Sequence, residues 1–239
     1  MNGTVWIIGV VLVLITLLLA TGWWRYVLTG YLIARVSPYE QVGTGAGRIH
    51  VIGDSTGYGT GARLASESVA GRLGADFPSY TITNDSSNGR RIEGAMGAVR
   101  DLDGQYDLIL FQIGANDMLG GATAKQTVER MQSLVSAAQA HSAHIVIVTS
   151  GNIGGVPMFN QTEARRYTDT SRTYDELMKN LTQSMSNVSF VALFDEPEDD
   201  PFMAQPGFYT SIDGLHPTSA GYEIWYNKAK SAFDDVLNQ

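Results

Sequence analysis

Cysteine is absent from the 239-residue chain, which excludes thiol catalysis, disulfides and thiolate metal sites. An excess of positive charge is also lacking. The formal net charge is −8, which argues against a nucleic-acid partner. The glycine-rich stretch 57–61 has no lysine and does not predict a phosphate loop. His141 and His144 have no third ligand in view, so we expect no metal, and no cofactor is implied.

The composition indicates a globular chain. Apolar residues make up 44% and charged residues 17%, which fits a packed core rather than disorder. A length of 239 residues suits one domain of ordinary size with an appendage.

The appendage is the first segment, 1–24, which contains no charged side chain. A run of about 20 apolar residues is long enough to cross the roughly 30 Å hydrocarbon core of a bilayer. Trp23 and Trp24, followed by Arg25, resemble an interfacial belt with a charged stop. We therefore predict membrane insertion through residues 4–24, as a single-pass N-terminal anchor.

Two alternatives compete with the anchor. A cleaved signal peptide fits less well, because the first residues carry no Lys or Arg. A buried core helix would normally show a polar stripe. The positive-inside rule, applied to Arg25 and Arg35, favours a cytoplasmic position for the rest of the chain. The glycine-rich segment that ends the stretch 25–47 predicts a juxtamembrane tether.

Beyond the tether, residues 48–239 predict an α/β domain. Apolar runs predict strands at 49–52, 80–83, 108–113, 145–149 and 188–194, alternating with helices at 62–73, 92–102, 123–140, 168–185 and 219–237. The strands lack clear alternation, which is typical of strands covered on both faces. The pattern predicts a three-layer α/β/α sandwich with a central five-stranded parallel sheet.

Two short motifs carry the chemistry. Gly-Asp-Ser-Thr at 53–56 places the Ser55 hydroxyl directly after the first strand, and Asp-Gly-Leu-His at 213–216 places Asp213 three residues before His216. A serine becomes a nucleophile when a neutral imidazole takes its proton, and an anion must hold that imidazole in the right tautomer. These residues predict a serine hydrolase.

The chain resembles the SGNH hydrolases, also called GDSL esterases and lipases, from about residue 48 onward. Two further motifs match: Asn-Asp-Ser-Ser-Asn-Gly at 84–89 and Gly-Ala-Asn-Asp at 114–117. Thr56 stands where leucine is commoner. The resemblance implies a triad of Ser55, His216 and Asp213. It also implies an oxyanion hole made by the backbone N–H groups of Ser55 and Gly89 and the side-chain amide of Asn116.

Each motif also has an ordinary interpretation. Ser55 alone suits a helix N-cap, Asn116 an Asx turn, and Gly89 a turn glycine. The pattern Gly-x-Ser-x-Gly at 53–57 also matches the nucleophile elbow of α/β-hydrolases, but in that fold several strands precede the elbow. Four motifs in order, each near the end of a predicted strand or in a loop, favour the SGNH assignment.

The substrate is less defined. Apolar loops and the predicted anchor suggest an acyl ester or thioester, from a small molecule or a lipid, while the resemblance equally allows sugar deacetylation. An acyltransferase with the same triad and a non-catalytic binding module are the alternatives. No oligomeric state is predicted. The candidate substrate-binding residues are Arg90, Arg91, Met118, Phe159 and Phe208.

Overall fold

The computed structural model describes residues 3–21 and 24–238. The strands are β1 (Arg48–Gly53), β2 (Thr81–Ser86), β3 (Tyr106–Gln112), β4 (Ser142–Val148) and β5 (Val188–Val191). The helices, in chain order, are α1 (Gly3–Thr21), α2 (Trp24–Arg35), α3 (Ser55–Tyr58), α4 (Val69–Asp76), α5 (Ile92–Arg100), α6 (Ala115–Leu119), α7 (Ala124–Ala138), α8 (Gln161–Thr182), α9 (Pro201–Ala204), α10 (Pro206–Tyr209) and α11 (Ser219–Leu237).

The five strands form one sheet in the order β2-β1-β3-β4-β5, and every pair is parallel. The predicted five-stranded parallel sheet is therefore confirmed. The strand order reverses direction between β1 and β3. In doubly wound sheets the loops at the carboxyl ends of the strands diverge at such a point and leave a crevice. Ser55 follows β1 and Asn116 follows β3, so both lie at the edge of this crevice.

Apolar side chains cover both faces of the sheet. One core cluster contains Ile52, Phe111 and Ile147 together with residues of α5, α7 and α8. The other contains Val51 and Leu110 together with residues of α4 and α11. Burial on both faces explains the near-continuous apolar runs in β1, β3 and β4.

The helix boundaries differ from the prediction where capping residues were overlooked. Helix α8 starts at Gln161, seven residues before the predicted start at 168, because Asn160 and Glu163 form a capping box. The segment predicted as a helix over 62–73 instead holds a 3₁₀ turn at Ala65–Glu67 and then α4, which Ser68 caps.

The predicted membrane anchor is wrong. Among the described residues, no helix combines the length and apolar character that crossing a bilayer requires. Trp24 and Arg25, which the sequence analysis placed at a membrane interface, begin α2, and the Arg25 guanidinium donates to the Met158 carbonyl oxygen. Trp23 lies outside the described residues. The orientation drawn from Arg25 and Arg35 depended on the anchor and falls with it.

The predicted tether at 25–47 contains ordered structure packed on the domain. Helix α2 occupies its first part, with Leu32 and the following Val36 buried. Further on, Gln41 pairs with Ile82 of β2 through two backbone hydrogen bonds, and the glycine-rich end of the segment lies against Ser79 and Tyr80. This part of the chain extends the fold around β2.

Candidate active site

The Ser55 turn is built by the carboxylate that precedes it. The Oδ1 atom of Asp54 accepts hydrogen bonds from the Thr56 backbone N–H and the Thr56 hydroxyl, both at 2.8 Å, and so caps α3. Ser55 is the first residue of this helix. Because α3 spans only four residues, its dipole adds little positive potential at Ser55.

The loop before α11 presents a histidine to that serine. Asp213 Oδ1 accepts from the backbone N–H groups of Leu215 and His216 at 3.0 and 3.1 Å, which folds the loop back on itself. Asp213 Oδ2 lies 2.6 Å from His216 Nδ1. His216 Nε2 in turn lies 2.9 Å from Ser55 Oγ. The structure thus brings together three side chains separated by up to 161 positions in sequence.

The charge state of Asp213 suits this chain of contacts. Burial by itself raises the pKa of the carboxyl, but the hydrogen bond and charge of His216 and the two backbone N–H donors outweigh it, so the pKa lies below its usual value. Asp213 is then an anion near neutral pH. An ionised Asp213 keeps the imidazole proton on Nδ1, which leaves Nε2 to accept the proton of the Ser55 hydroxyl.

The two other predicted oxyanion donors face the same cavity as Ser55. Gly89 and Asn116 both line it. Gly89 has φ +77°, and a Cβ built there would meet no atom within 4 Å. The position therefore favours glycine for its left-handed backbone rather than for crowding. Asn116 Nδ2 donates to the Arg90 carbonyl oxygen at 3.2 Å, which links its side chain to the Gly89 turn.

Sequence reasoning missed Gly61. Its φ is +97°, and a Cβ there would lie 2.3 Å from the Pro217 carbonyl oxygen and 3.0 Å from the Cβ of His216. Any side chain would push the histidine loop away from the Ser55 turn. The glycine-rich stretch 57–61 is the signal in the sequence, because glycines also permit the close approach of another backbone segment.

The acids next to the motifs bind the scaffold. Asp117 accepts from the Ile92 backbone N–H at 3.0 Å and from Arg130 Nη1 at 2.7 Å. Asp54 is fully buried, which raises its pKa from 3.8 to about 6, although the hydrogen bonds from Thr56 oppose this rise. Among the described residues, none donates a hydrogen bond to the second oxygen of Asp54, Oδ2.

A cavity of about 370 Å³ opens at Ser55 and His216. Its walls come from the ends of α2, α6, β4 and β5, from α9 and from α11. Apolar side chains dominate the lining: Ile33, Leu119, Ile153, Val156, Leu193, Phe202, Leu215, Ile224 and Trp225. The lining also includes polar groups, among them Lys228, which pairs with Asp195 at 2.5 Å. Such a cavity suits an apolar group joined to a polar reacting centre.

The two predicted substrate-binding arginines lie outside this lining. Arg90 turns back onto its own loop, where Nη2 binds Asp85 Oδ1 at 2.9 Å and Nη1 binds the Asp85 carbonyl oxygen. The Arg91 guanidinium lies against Gly120. The ion pair with Asp85 offsets the positive charge of Arg90.

The three predicted apolar contacts also lie outside the lining. Met118 is buried in the core on the side of α7 and α8. Phe159 packs on Tyr167, with ring centroids 4.6 Å apart. Phe208 is 59% exposed and borders a shallow depression near α2 instead. The segments around these three residues do contribute to the cavity, but through Leu119, Val156 and Phe202.

Metal ligands are not assembled anywhere in the described chain. Across residues 3–21 and 24–238, no group of three or more His, Asp and Glu side chains could hold a metal ion.

Comparison with protein families agrees with this arrangement. The model of the GDSL-like lipase/acylhydrolase family matches residues 51–224, well over half of the chain and all of the region from β1 into α11. The chain belongs to this family. Its members are generally hydrolases. A search of curated proteins by sequence finds no significant match.

Several solved structures share the fold at low sequence identity. A lipolytic G-D-S-L family protein from Veillonella parvula DSM 2008 is 17% identical, with a TM-score of 0.63, over 79% of this chain and 98% of that one. TesA is 18% identical, with a TM-score of 0.58, over 80% of this chain and 99% of that one. The salicylyl-acyltransferase SsfX3 from a tetracycline biosynthetic pathway is 18% identical, with a TM-score of 0.52, over 80% of this chain and 55% of that one.

Proposed function

We propose that this member of the GDSL-like family is a serine-dependent hydrolase of carboxylic esters or thioesters. Ser55 is the nucleophile, His216 is the general base and then the general acid, and Asp213 orients His216. The single observation that carries the proposal is the unbroken chain of contacts from Asp213 through His216 to Ser55, at 2.6 and 2.9 Å, at the mouth of an apolar cavity.

The first half of the reaction acylates Ser55. Its Oγ attacks the acyl carbonyl carbon while His216 Nε2 takes the hydroxyl proton. The carbonyl oxygen becomes an oxyanion, which the N–H groups of Ser55 and Gly89 and the amide of Asn116 stabilise. When the tetrahedral intermediate collapses, the bond to the leaving alcohol or thiol breaks, and His216 gives that group its proton.

The second half releases the acid. Water attacks the acyl-enzyme carbonyl while His216 Nε2 takes a proton from it, and a second oxyanion forms at the same donors. Collapse of this intermediate breaks the bond to Ser55 Oγ, which recovers a proton from His216. The carboxylic acid then leaves, and the enzyme returns to its starting state.

The cavity supports an acyl group longer than acetyl. Apolar side chains from several elements line the space beside Ser55. Burial of one methylene stabilises a bound chain by about 0.8 kcal/mol, which corresponds to roughly a fourfold gain in kcat/KM if the gain is kept in the transition state. We expect kcat/KM to rise with acyl length until the chain fills the cavity and then to level off or fall.

The first test is hydrolysis of nitrophenyl esters from acetyl to palmitoyl by the full chain. Ser55→Ala should abolish turnover, because no other group can form the acyl-enzyme, and it should leave the thermal melting temperature nearly unchanged. Ser133→Ala is the matched control, since this exposed hydroxyl on α7 bonds only within its own helix. Turnover by Ser55→Ala at the unsubstituted rate would defeat the proposal.

Product analysis decides between water and an alcohol as the acyl acceptor. The same acyl-enzyme would transfer its acyl group to an alcohol that reaches the cavity faster than water does. Adding glycerol or a simple sugar to the assay and measuring the yield of the new ester distinguishes the two reactions. A folded protein that neither hydrolyses nor transfers any acyl chain would favour the binding module.

A further inference from the structure

Helix α2 turns one face towards the candidate active site. Thr29 and Ile33, one helical turn apart, both line the cavity that contains Ser55 and His216. Leu32 and Val36, on the same side, are buried at 6% and 8% exposure. Val27 and Tyr31, on the other side, are 58% and 52% exposed. The helix therefore has a polar and an apolar contact with the site, although it precedes the region that matches the family.

Thr29 contacts the carboxylate of the triad directly. Its Oγ1 donates to Asp213 Oδ2 at 3.0 Å. Asp213 Oδ2 is also the oxygen that lies 2.6 Å from His216 Nδ1. The other oxygen, Asp213 Oδ1, accepts from two backbone N–H groups of its own loop, those of Leu215 and His216. Thr29 is thus a donor from outside that loop, 184 positions away in sequence.

A second contact links α2 to the same loop. The Arg25 guanidinium, one turn before Thr29, donates to the Met158 carbonyl oxygen. The Met158 backbone N–H donates to the Gly214 carbonyl oxygen at 2.9 Å. Gly214 follows Asp213, so α2 holds the loop both at the carboxylate and through Met158. Two contacts on one face of a helix fix its position better than one.

We propose that Thr29 is a positioning residue that holds the Asp213 carboxylate against His216, and that α2 forms one wall of the acyl pocket. The inference rests on the proposed serine hydrolase function. A carboxylate oxygen with two donors at fixed directions has little freedom to rotate, so the imidazole it binds stays aimed at Ser55. The N-terminal segment would then belong to the catalytic unit.

Removal of the Thr29 hydroxyl should have two effects. The carboxylate and the imidazole bound to it become freer to turn away from Ser55, which lowers kcat. The negative charge of the carboxylate also meets one donor fewer, so it stabilises the imidazolium form of His216 more strongly. The acid limb of the pH profile of kcat, where the rate falls as the pH is lowered, should therefore move to higher pH. The other ionisable groups near the pair are Asp54 and Tyr222, and both are unchanged by the substitution.

The test compares Thr29→Val, Thr29→Ala and Thr29→Ser in the full chain. Valine keeps the shape of the side chain, while alanine favours the helix and protects folding. Both should lower kcat on the order of tenfold, as expected for loss of a hydrogen bond to a charged group. Both should also raise the midpoint of the acid limb by some tenths of a pH unit. Serine keeps the hydroxyl and should recover most of the rate and the original midpoint.

Two controls separate positioning from a structural role. Thr170→Val removes an exposed hydroxyl that bonds within α8 and should change neither kcat nor the pH profile. Ile33→Ala should raise KM for long acyl esters, because it enlarges the pocket wall, and should leave the acid limb in place. Melting temperatures of all variants report whether the fold is intact.

The outcomes are distinct. Full activity and an unshifted acid limb in Thr29→Val and Thr29→Ala overturn the inference. So does a loss of rate that Thr29→Ser fails to recover, since that would assign Thr29 a structural role alone. Activity that survives Ser55→Ala would instead overturn the proposed function, whatever the Thr29 variants do.

Discussion

Two buried carboxylates lie at the candidate site, Asp54 beside the triad and Asp213 within it, and their pKa values shift in opposite directions. Asp54, in the turn after β1, is 1% exposed, and Asp213, in the loop before α11, is 0% exposed. Burial raises the pKa of Asp54 to about 6. Burial also acts on Asp213, but its hydrogen bonds and the neighbouring His216 hold the pKa below the usual value.

The number and direction of the donors explain the difference. Asp54 accepts two hydrogen bonds, both from Thr56 and both on one oxygen, and none of the described residues donates to its other oxygen. Asp213 accepts hydrogen bonds on both oxygens, and one of its partners is an imidazole. Burial disfavours the charged form unless enough donors replace water. Although both carboxylates are buried, Asp54 therefore takes up a proton more easily than usual, while Asp213 stays ionised near neutral pH.

The largest expected effect is on activity. Asp213→Asn should lower kcat by about 10³–10⁴, because an amide donates where the carboxylate accepted and favours the wrong tautomer of His216. Asp54→Asn should change kcat by less than about tenfold, since its Oδ1 can still cap α3. The measurement is kcat of both variants on one nitrophenyl ester. Equal losses in the two variants would contradict the division of roles.

The next effect is on stability. Because the pKa of Asp54 in the folded state, about 6, exceeds the unfolded value of 3.8, the folded state binds the proton more tightly. Its contribution to stability is fully present below about pH 4 and is lost as the pH rises through about 6. Asp54→Asn removes this dependence. The variant should be more stable than the unsubstituted protein at pH 7–8, by roughly 1–3 kcal/mol.

Urea unfolding between pH 4 and pH 8 measures this difference, which should shrink towards zero at the acidic end. Asp213→Asn provides the comparison with the opposite sign. A depressed pKa stabilises the fold above the unfolded pKa and loses that contribution as the pH falls through the folded value. Because the folded pKa of Asp213 lies below 3.8, Asp213→Asn should be less stable across the whole range from pH 4 to pH 8, with a nearly constant difference. Parallel curves for the two variants would show that the donors do not set the shifts.

The smallest effect concerns the donor to Asp54. Thr56→Val removes the hydroxyl that lies 2.8 Å from Asp54 Oδ1 and keeps the backbone N–H. We expect a loss of about 1–2 kcal/mol at pH 8, where the acceptor is charged, and a smaller loss at pH 4. Thr173→Val, at an exposed hydroxyl on α8, is the matched control. A loss that is the same at both pH values would argue that Asp54 is neutral throughout.

Much of the fold could be predicted from local patterns. The apolar runs of β1, β3 and β4 identified buried strands because both faces of these strands are covered. The start of α8 was misplaced, since its first residues, Gln161 to Arg166, are polar and show no apolar stripe. Only the capping pair Asn160 and Glu163 marks that boundary, and apolar periodicity does not detect capping.

The candidate site, like the fold, could be predicted only in part from local patterns. Ser55, Gly89, Asn116 and the Asp213–His216 pair were named from motifs, and all of them line one cavity or contact a residue that does. Their roles remain a proposal. The substrate-binding residues were chosen by type and position in a loop, and that choice fails when a side chain such as Met118 turns into the core or Arg90 finds an acid nearby.

The sequence alone determined the sheet, the order of its elements and the motifs at the ends of the strands, because these depend on residues within a few positions of one another. Tertiary structure decided what lies opposite those motifs. Thr29 meets Asp213 across 184 positions, and Gly61 admits the loop of His216 against the Ser55 turn. Contacts between distant residues also explain the error at the N-terminus. An apolar run predicts that a segment avoids water, but only the tertiary structure shows which surface lies next to it, and α2 lies against the candidate active site.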